Sequence, residues 1–107
     1  MNILARITNR AGEHAVTVET GDRRQAVAIA AKAEGPGSSV NGGELLFLAM
    51  ATCYCNDIYR EARKRAIEVV KVEVEVSGAF GGEGNRRALS AIARPSMPGP
   101  PARPFIN

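Results

Sequence analysis

Alternating apolar and polar positions near the start of the chain predict a β-hairpin. Ile3, Ala5 and Ile7 share one face of a strand over 3–8, and residues 14–19 alternate in the same way. The segment between them contains glycine, which suits a turn. A second turn over 20–24 and a weaker third strand over 25–31 follow, and residues 33–43 are a loop rich in Gly, Pro and Ser.

Residues 41–65 predict one long helix. Asn41 is a suitable N-cap, and Glu44 three residues later gives a variant of the capping box. The first half, from Leu45 to Cys55, is apolar on every side apart from Thr52, whereas the second half is mostly charged. A helix that is apolar all round has to be covered all round, and one small sheet covers one face only. The pattern therefore predicts a homodimer in which a second copy supplies the remaining cover.

The remainder of the chain predicts further β-structure and an irregular end. Val70, Val72, Val74 and Val76 lie on one face of a strand over 69–78. Residues 86–94 are predicted as either a strand or a short helix. The segment 95–107 is rich in proline and cannot form a helix or a central strand. We therefore predict an α+β domain over 1–94 and an irregular tail over 95–107.

Charge and composition narrow the classes of function. The net charge is +3, but every acidic residue lies at or before Glu83, so the excess of basic residues belongs to the C-terminal end. A basic face interleaved with aromatic residues is not evident, which argues against nucleic-acid binding. The longest apolar stretch is far shorter than the ~18 residues of a membrane span, and the first residues do not resemble a secretory signal. We expect a cytoplasmic protein with no membrane partner.

The most informative chemistry is in the two cysteines, Cys53 and Cys55. In a cytoplasmic protein they are expected as free thiols, and on a helix they point roughly 200° apart, which disfavours a disulfide between them. With His14 as the single histidine, a zinc site lacks ligands, so neither a metal nor a cofactor is expected. The residues alone leave two interpretations open: buried apolar filler, or one reactive thiol activated by a cation from elsewhere.

The segment "ELLFLAMATCYC", placed after a hairpin and a Gly-rich loop and before a valine-alternating strand, resembles the OsmC/Ohr family of osmotically inducible and organic-hydroperoxide-resistance proteins. The resemblance covers about residues 3–83. It implies an intertwined α+β homodimer with an antiparallel sheet packed on a long central helix. It also implies reduction of an organic hydroperoxide with an external thiol reductant. Cys53 matches the peroxide-reactive cysteine, and Arg10 and Glu44 are the candidates for the residues that activate it, with Arg6, Arg23 and Arg24 as alternative arginines.

This chain departs from the family pattern at two places. Many members carry Pro-Glu ten residues before the cysteine, where this chain has Gly42 and Gly43, so that Glu44 lies nine before Cys53 and on the opposite side of a regular helix. The second cysteine of the family, in a Cys-Pro motif, has no counterpart before the Pro-rich tail; a reading-frame change or early end after Gly84, or a shortened member, would explain this. The alternative function is a non-catalytic dimer of the same fold that binds a small hydrophobic ligand.

Overall fold

The computed structural model of the 107-residue chain describes residues 1–80 and 88–98 and has the predicted α+β content. The chain divides into two compact units, Met1–Leu45 and Leu46–Asn107. In chain order the elements are strands β1 (Ile3–Arg10), β2 (Glu13–Thr20) and β3 (Arg23–Ala26), helix α1 (Gly42–Lys64), and strands β4 (Lys71–Ala79) and β5 (Ala88–Ser96).

The first unit contains the predicted hairpin as part of a three-stranded antiparallel sheet with the order β1-β2-β3. Arg10 pairs with Glu13, so only two residues form the turn, and one of them is Gly12 with φ = 82°. A turn with positive φ only at its second central residue has the type II pattern, and glycine adopts that conformation without a steric penalty. The hairpin prediction is confirmed.

The third strand lies earlier in the chain than its apolar pattern predicts. Thr20 pairs with Arg23 across a second two-residue turn, which contains Gly21 with φ = 57°. Arg23 and Arg24, predicted as part of the turn, are therefore the first residues of β3, and the strand ends at Ala26. The tight turn, rather than the apolar run that follows it, determines where pairing begins.

The loop between β3 and α1 is tied to the hairpin by one side chain. Asn9 accepts a hydrogen bond from the Gly37 backbone N–H at 2.8 Å, and its amide nitrogen lies 2.9 Å from Nδ1 of His14 on the neighbouring strand. Within the loop, the Lys32 N–H donates to the Gly37 carbonyl and the Ser39 N–H donates to the Ala30 carbonyl, both at 2.9 Å. The Gly-rich composition therefore corresponds to a folded loop.

Helix α1 begins with the predicted capping box. The Glu44 N–H donates to Asn41 Oδ1 at 2.7 Å, and the Asn41 N–H donates to Glu44 Oε1 at 3.0 Å. At the other end, Ala66 has φ = 54° and the Ile67 N–H donates to the Ala62 carbonyl at 2.9 Å, as in a Schellman motif. These bonds define a helix of 23 residues, which confirms the prediction over 41–65.

The second unit pairs β4 with β5 in a two-stranded antiparallel sheet. The segment predicted as either strand or short helix is thus a strand, and it continues through Pro95 to Ser96. Proline is tolerated because each strand of a two-stranded sheet has a free edge. The Val70 N–H, just before the start of β4, donates to the carbonyl of Ser96, the last residue of β5, at 2.8 Å.

Burial is low throughout the part of the chain that the structure describes. The valines at 72, 74 and 76 of β4 are half-buried while their charged neighbours are exposed, as the alternation predicts. Among the residues whose burial is described, only Ala62 is buried, at 9% exposure. Leu46 and Leu48 remain 52% and 59% exposed on α1. Among the described residues, the apolar surface of α1 for which the sequence predicts a partner is therefore largely exposed.

Candidate functional site

Cys53 lies on an exposed face of α1. With 100° of rotation per residue, Leu46 and Ala49, seven and four positions earlier, lie within about 40° of it on the same face. Asp57 and Arg60 occupy the next turns of this face and form an ion pair. The thiol is therefore at the boundary between an apolar patch and a charged pair, and it is accessible from outside the chain.

Cys55 has different surroundings. Two residues along the helix it points about 200° away from Cys53, toward the side that carries Ala51, Ile58 and Ala62. Each of these four residues is half-buried or buried, whereas Cys53 is exposed. The placement agrees with an apolar, packing role for Cys55.

The hydroxyl next to Cys53 is already used within the helix. Thr52 Oγ1 donates to the Leu48 carbonyl at 2.8 Å, four residues earlier. A Thr side chain bonded in this way satisfies its own donor and does not point that donor at a neighbouring group. Thr52, the one polar residue in the apolar half, therefore supplies helix bonding rather than a proton for the thiol.

Glu44, the predicted activating carboxylate, is engaged at the start of the helix. One of its oxygens accepts the Asn41 N–H in the capping box. Nine residues separate it from Cys53 along one continuous helix, which corresponds to a rise of about 13.5 Å and a rotation of about 180°. Helix geometry thus places the carboxylate on the face opposite the thiol.

Arg10, the predicted activating cation, is at the end of β1. Its Nε lies 2.9 Å from Oε2 of Glu13 across the hairpin turn, and both side chains are about 70% exposed. Arg10 belongs to the first compact unit and Cys53 to the second, so their juxtaposition stays a prediction.

The alternative arginines have their own surroundings within the first unit. Arg6 and Arg24 both approach Glu19 Oε1, at 3.9 and 3.5 Å, across the sheet. Arg23 lines a surface depression beside Val18. Glu19 is thus the acidic partner of both Arg6 and Arg24. Of the three alternative arginines, Arg23 is the one that takes part in none of the described ion pairs.

Two aromatic rings mark the first turns of the helix in the second unit. The rings of Phe47 and Phe80 have their centroids 5.6 Å apart and are inclined by 28°, which is a stacked arrangement. Phe80 is the residue after β4, so this contact joins α1 to the segment that follows that strand. Phe47, six residues before Cys53, is rotated about 120° from it around the helix.

A groove at the C-terminal end of α1 was missed by the sequence reasoning. Ile58, Ala62 and Arg65 line it at helical spacing, together with Met97 from the segment after β5. The spacing of the three helix residues, four from Ile58 to Ala62 and three from Ala62 to Arg65, was visible in the sequence. The contribution of Met97 was not, because it depends on the pairing of β5 with β4.

Within residues 1–80 and 88–98, no three His, Cys, Asp or Glu side chains are grouped closely enough to hold a metal ion. None of the helices described there is long and apolar enough to cross a membrane.

Comparison of the chain with protein-family models, with curated proteins and with solved structures gives no match. The assignment of function therefore depends on the residues and their geometry.

Proposed function

We propose that the chain is an OsmC-like, thiol-dependent hydroperoxide reductase with Cys53 as its nucleophile. The observation that carries this proposal is the position of Cys53 on the exposed face of α1, beside Leu46 and Ala49. An accessible thiol beside apolar side chains suits a hydroperoxide that has a hydrocarbon body and a polar O–O group. Cys55, half-buried on the other side of the helix, does not have these properties.

The proposed reaction begins with attack of the Cys53 thiolate on one oxygen of the hydroperoxide. The S–O bond forms, the O–O bond breaks, and the departing alkoxide takes a proton and leaves as an alcohol. The cysteine is oxidised to a sulfenic acid and the peroxide is reduced. A thiol of an external dithiol then attacks the sulfenic sulfur and releases water. Its second thiol resolves the mixed disulfide and restores Cys53.

Activation of Cys53 requires a cation that lowers the energy of the thiolate. We assign this role to Arg10, and we assign Glu44 to the helix cap rather than to the thiol, because its carboxylate already accepts the Asn41 N–H. Within a dimer, Arg10 of either copy is available for this role. Cys55 cannot resolve the sulfenic acid of its own chain, because the two side chains point to opposite sides of one helix.

The homodimer is part of the same proposal. Leu46 and Leu48 are more than half exposed, and Tyr54 is 46% exposed on the same helix. Such a concentration of exposed apolar side chains on one helix is typical of an interaction surface. A second copy that covers this half of α1 would also exclude water from around Cys53, and we expect this exclusion to favour the reaction at the peroxide oxygen.

A second candidate function is a non-catalytic dimer of this fold that holds a small hydrophobic ligand. The observation that favours it is that Cys53 and Cys55 are the only cysteines of the chain, so that a resolving thiol must come from outside. Without such a thiol, the sulfenic acid proceeds to the irreversible sulfinic acid on further exposure to peroxide.

The deciding experiment measures hydroperoxide consumption in the presence of a dithiol, for the native chain, Cys53→Ser and Cys55→Ser. We expect Cys53→Ser to abolish consumption and Cys55→Ser to retain it. After one equivalent of hydroperoxide with a sulfenate-specific trap, mass spectrometry should place the adduct on Cys53. An adduct confined to Cys55, or an absence of adduct on both thiols, would leave the ligand-binding function as the better account.

A further inference from the structure

The groove at the C-terminal end of α1 has the features of a small-molecule site that is separate from Cys53. It has a volume of about 270 Å³ and belongs entirely to the second compact unit. Ligand pockets typically measure 300–1,000 Å³, so this groove suits a molecule somewhat smaller than a drug. Its apolar walls come from three parts of that unit, namely α1, the connection to β4 and the end of β5. They are formed by Ile58, Ala62, Ile67, Val69, Pro95 and Met97.

The charged side chains of the groove are Glu61 and Arg65, one helical turn apart. Glu61 is already compensated, because its Oε1 lies 3.6 Å from Lys64 Nζ. For Arg65, no carboxylate lies within ion-pair distance of the guanidinium in the described part of the chain. The last turns of the helix, residues 61–65, carry one acidic and three basic residues, so the local charge is positive. The groove therefore combines an apolar wall with Glu61, which is paired with Lys64, and with Arg65, which has no carboxylate partner among the described residues.

The way in which the chain leaves the helix shapes the groove. Ala66 has φ = 54°, the left-handed conformation of the residue that follows a helix in a Schellman motif. This conformation turns the chain so that Ile67 returns to the Ala62 carbonyl, and it places Arg65 and Ile67 on the same groove.

We propose that this groove binds a small monocarboxylate with a linear apolar chain. Its hydrocarbon chain lies along the apolar wall formed by Ile58, Ala62 and Met97, and its carboxylate pairs with Arg65. Charge complementarity selects this ligand over a neutral or cationic one of the same length, because Arg65 has no other carboxylate partner among the described residues while Glu61 is paired with Lys64. The proposal concerns a different face of α1 from Cys53 and does not depend on peroxide chemistry.

Octanoate, 1-octanol and octylamine are suitable probes, since they share a chain length and differ in the head group. Binding is followed by the chemical shifts of the Ile67 and Met97 methyl groups. For a ligand of about ten non-hydrogen atoms, we expect a Kd for octanoate on the order of 1 mM. Its affinity should exceed that of octanol by about fivefold, which is the value of a partly exposed ion pair, and octylamine should bind most weakly.

Two pairs of variants separate recognition from folding. Arg65→Gln should reduce octanoate affinity to that of octanol, whereas Arg63→Gln, a control on a neighbouring residue that does not line the groove, should not. Met97→Glu should weaken octanoate binding more than octanol binding, whereas Met97→Gln should affect both equally. Met97 is 54% exposed and follows the last strand, so these changes are not expected to prevent folding.

Several results would overturn the proposal. Equal affinities for octanoate and octanol would show an apolar groove without carboxylate recognition. If octanoate does not bind and the same methyl shifts change when the protein is diluted, the groove is occupied by a second copy of the chain. If octanoate binds only after residues 99–107 are removed, the groove is occupied by the chain's own C-terminal segment.

Discussion

Replacement of Glu44 by glutamine separates the two roles that its carboxylate has been assigned. In the structure, Glu44 Oε1 accepts the Asn41 N–H at 3.0 Å and the Glu44 N–H donates to the Asn41 side chain at 2.7 Å. Glutamine retains an acceptor of the same reach and is also found at this position of capping boxes. Glu44→Gln therefore removes the negative charge and preserves the cap.

The expected effect on Cys53 is small, because distance and solvent weaken the charge. At about 14 Å in water the interaction between two unit charges is about 0.3 kcal/mol. With a Debye length of about 8 Å at physiological salt, it falls to about 0.05 kcal/mol. The change in reaction rate should thus lie well below twofold. The loss of the charge from the first turn should lower the free energy of unfolding by about 0.3–1 kcal/mol.

The assay combines hydroperoxide consumption, the rate of alkylation of Cys53 and urea denaturation. Alkylation followed by mass spectrometry reports on the thiol even without turnover. Asn41→Ala is the matched control: it removes the cap and should cost about 1 kcal/mol of stability, again with little effect on the thiol. A decrease of more than tenfold in either rate for Glu44→Gln, without a matching decrease for Asn41→Ala, would refute the reasoning. It would show that the carboxylate acts on the reaction itself.

Three further predictions concern other parts of the fold. Ala66→Gly should raise the free energy of unfolding by about 0.5 kcal/mol in urea denaturation. Glycine adopts φ = 54° without a steric cost, and this gain is partly offset because glycine loses more entropy on folding. A lower free energy of unfolding would contradict the helix-end geometry. The pKa of Glu73 is lowered from its ordinary value of 4.5, first by a hydrogen bond from Lys71 and then by the positive charge of Lys71. The pair therefore stabilises the fold above pH 4.5, and this stabilisation is lost as the pH falls through the lowered pKa. In an NMR titration of Lys71→Gln the pKa of Glu73 should return toward 4.5, and an unchanged pKa would show another cause. Leu46→Glu should convert the proposed dimer to a monomer in light scattering; an unchanged mass would place the interface elsewhere, and Arg63→Gln serves as the neutral comparison.

The elements that were predicted correctly are those specified by nearby residues. The hairpin follows from alternation on either side of Gly12, and the start of α1 follows from the Asn41 cap with Glu44 three residues later. The strand β4 follows from its valine alternation. By contrast, the apolar run over 25–31 predicts a strand later in the chain than β3, because the turn at Gly21 and not the apolar run sets where pairing with β2 begins. Residues 86–94 were compatible with helix or strand until pairing with β4 made the choice.

The candidate site shows the same division at the level of single side chains. The sequence alone determined that Cys53 and Cys55 point in different directions, since that follows from the helical repeat. Only the tertiary structure decided which of them is exposed, because burial depends on what packs beside each face of α1. The sequence likewise provided Arg65 and the apolar positions before it. The groove exists only because the pairing of β5 with β4 brings Met97 alongside them, through contacts between residues more than 30 positions apart that no local pattern records.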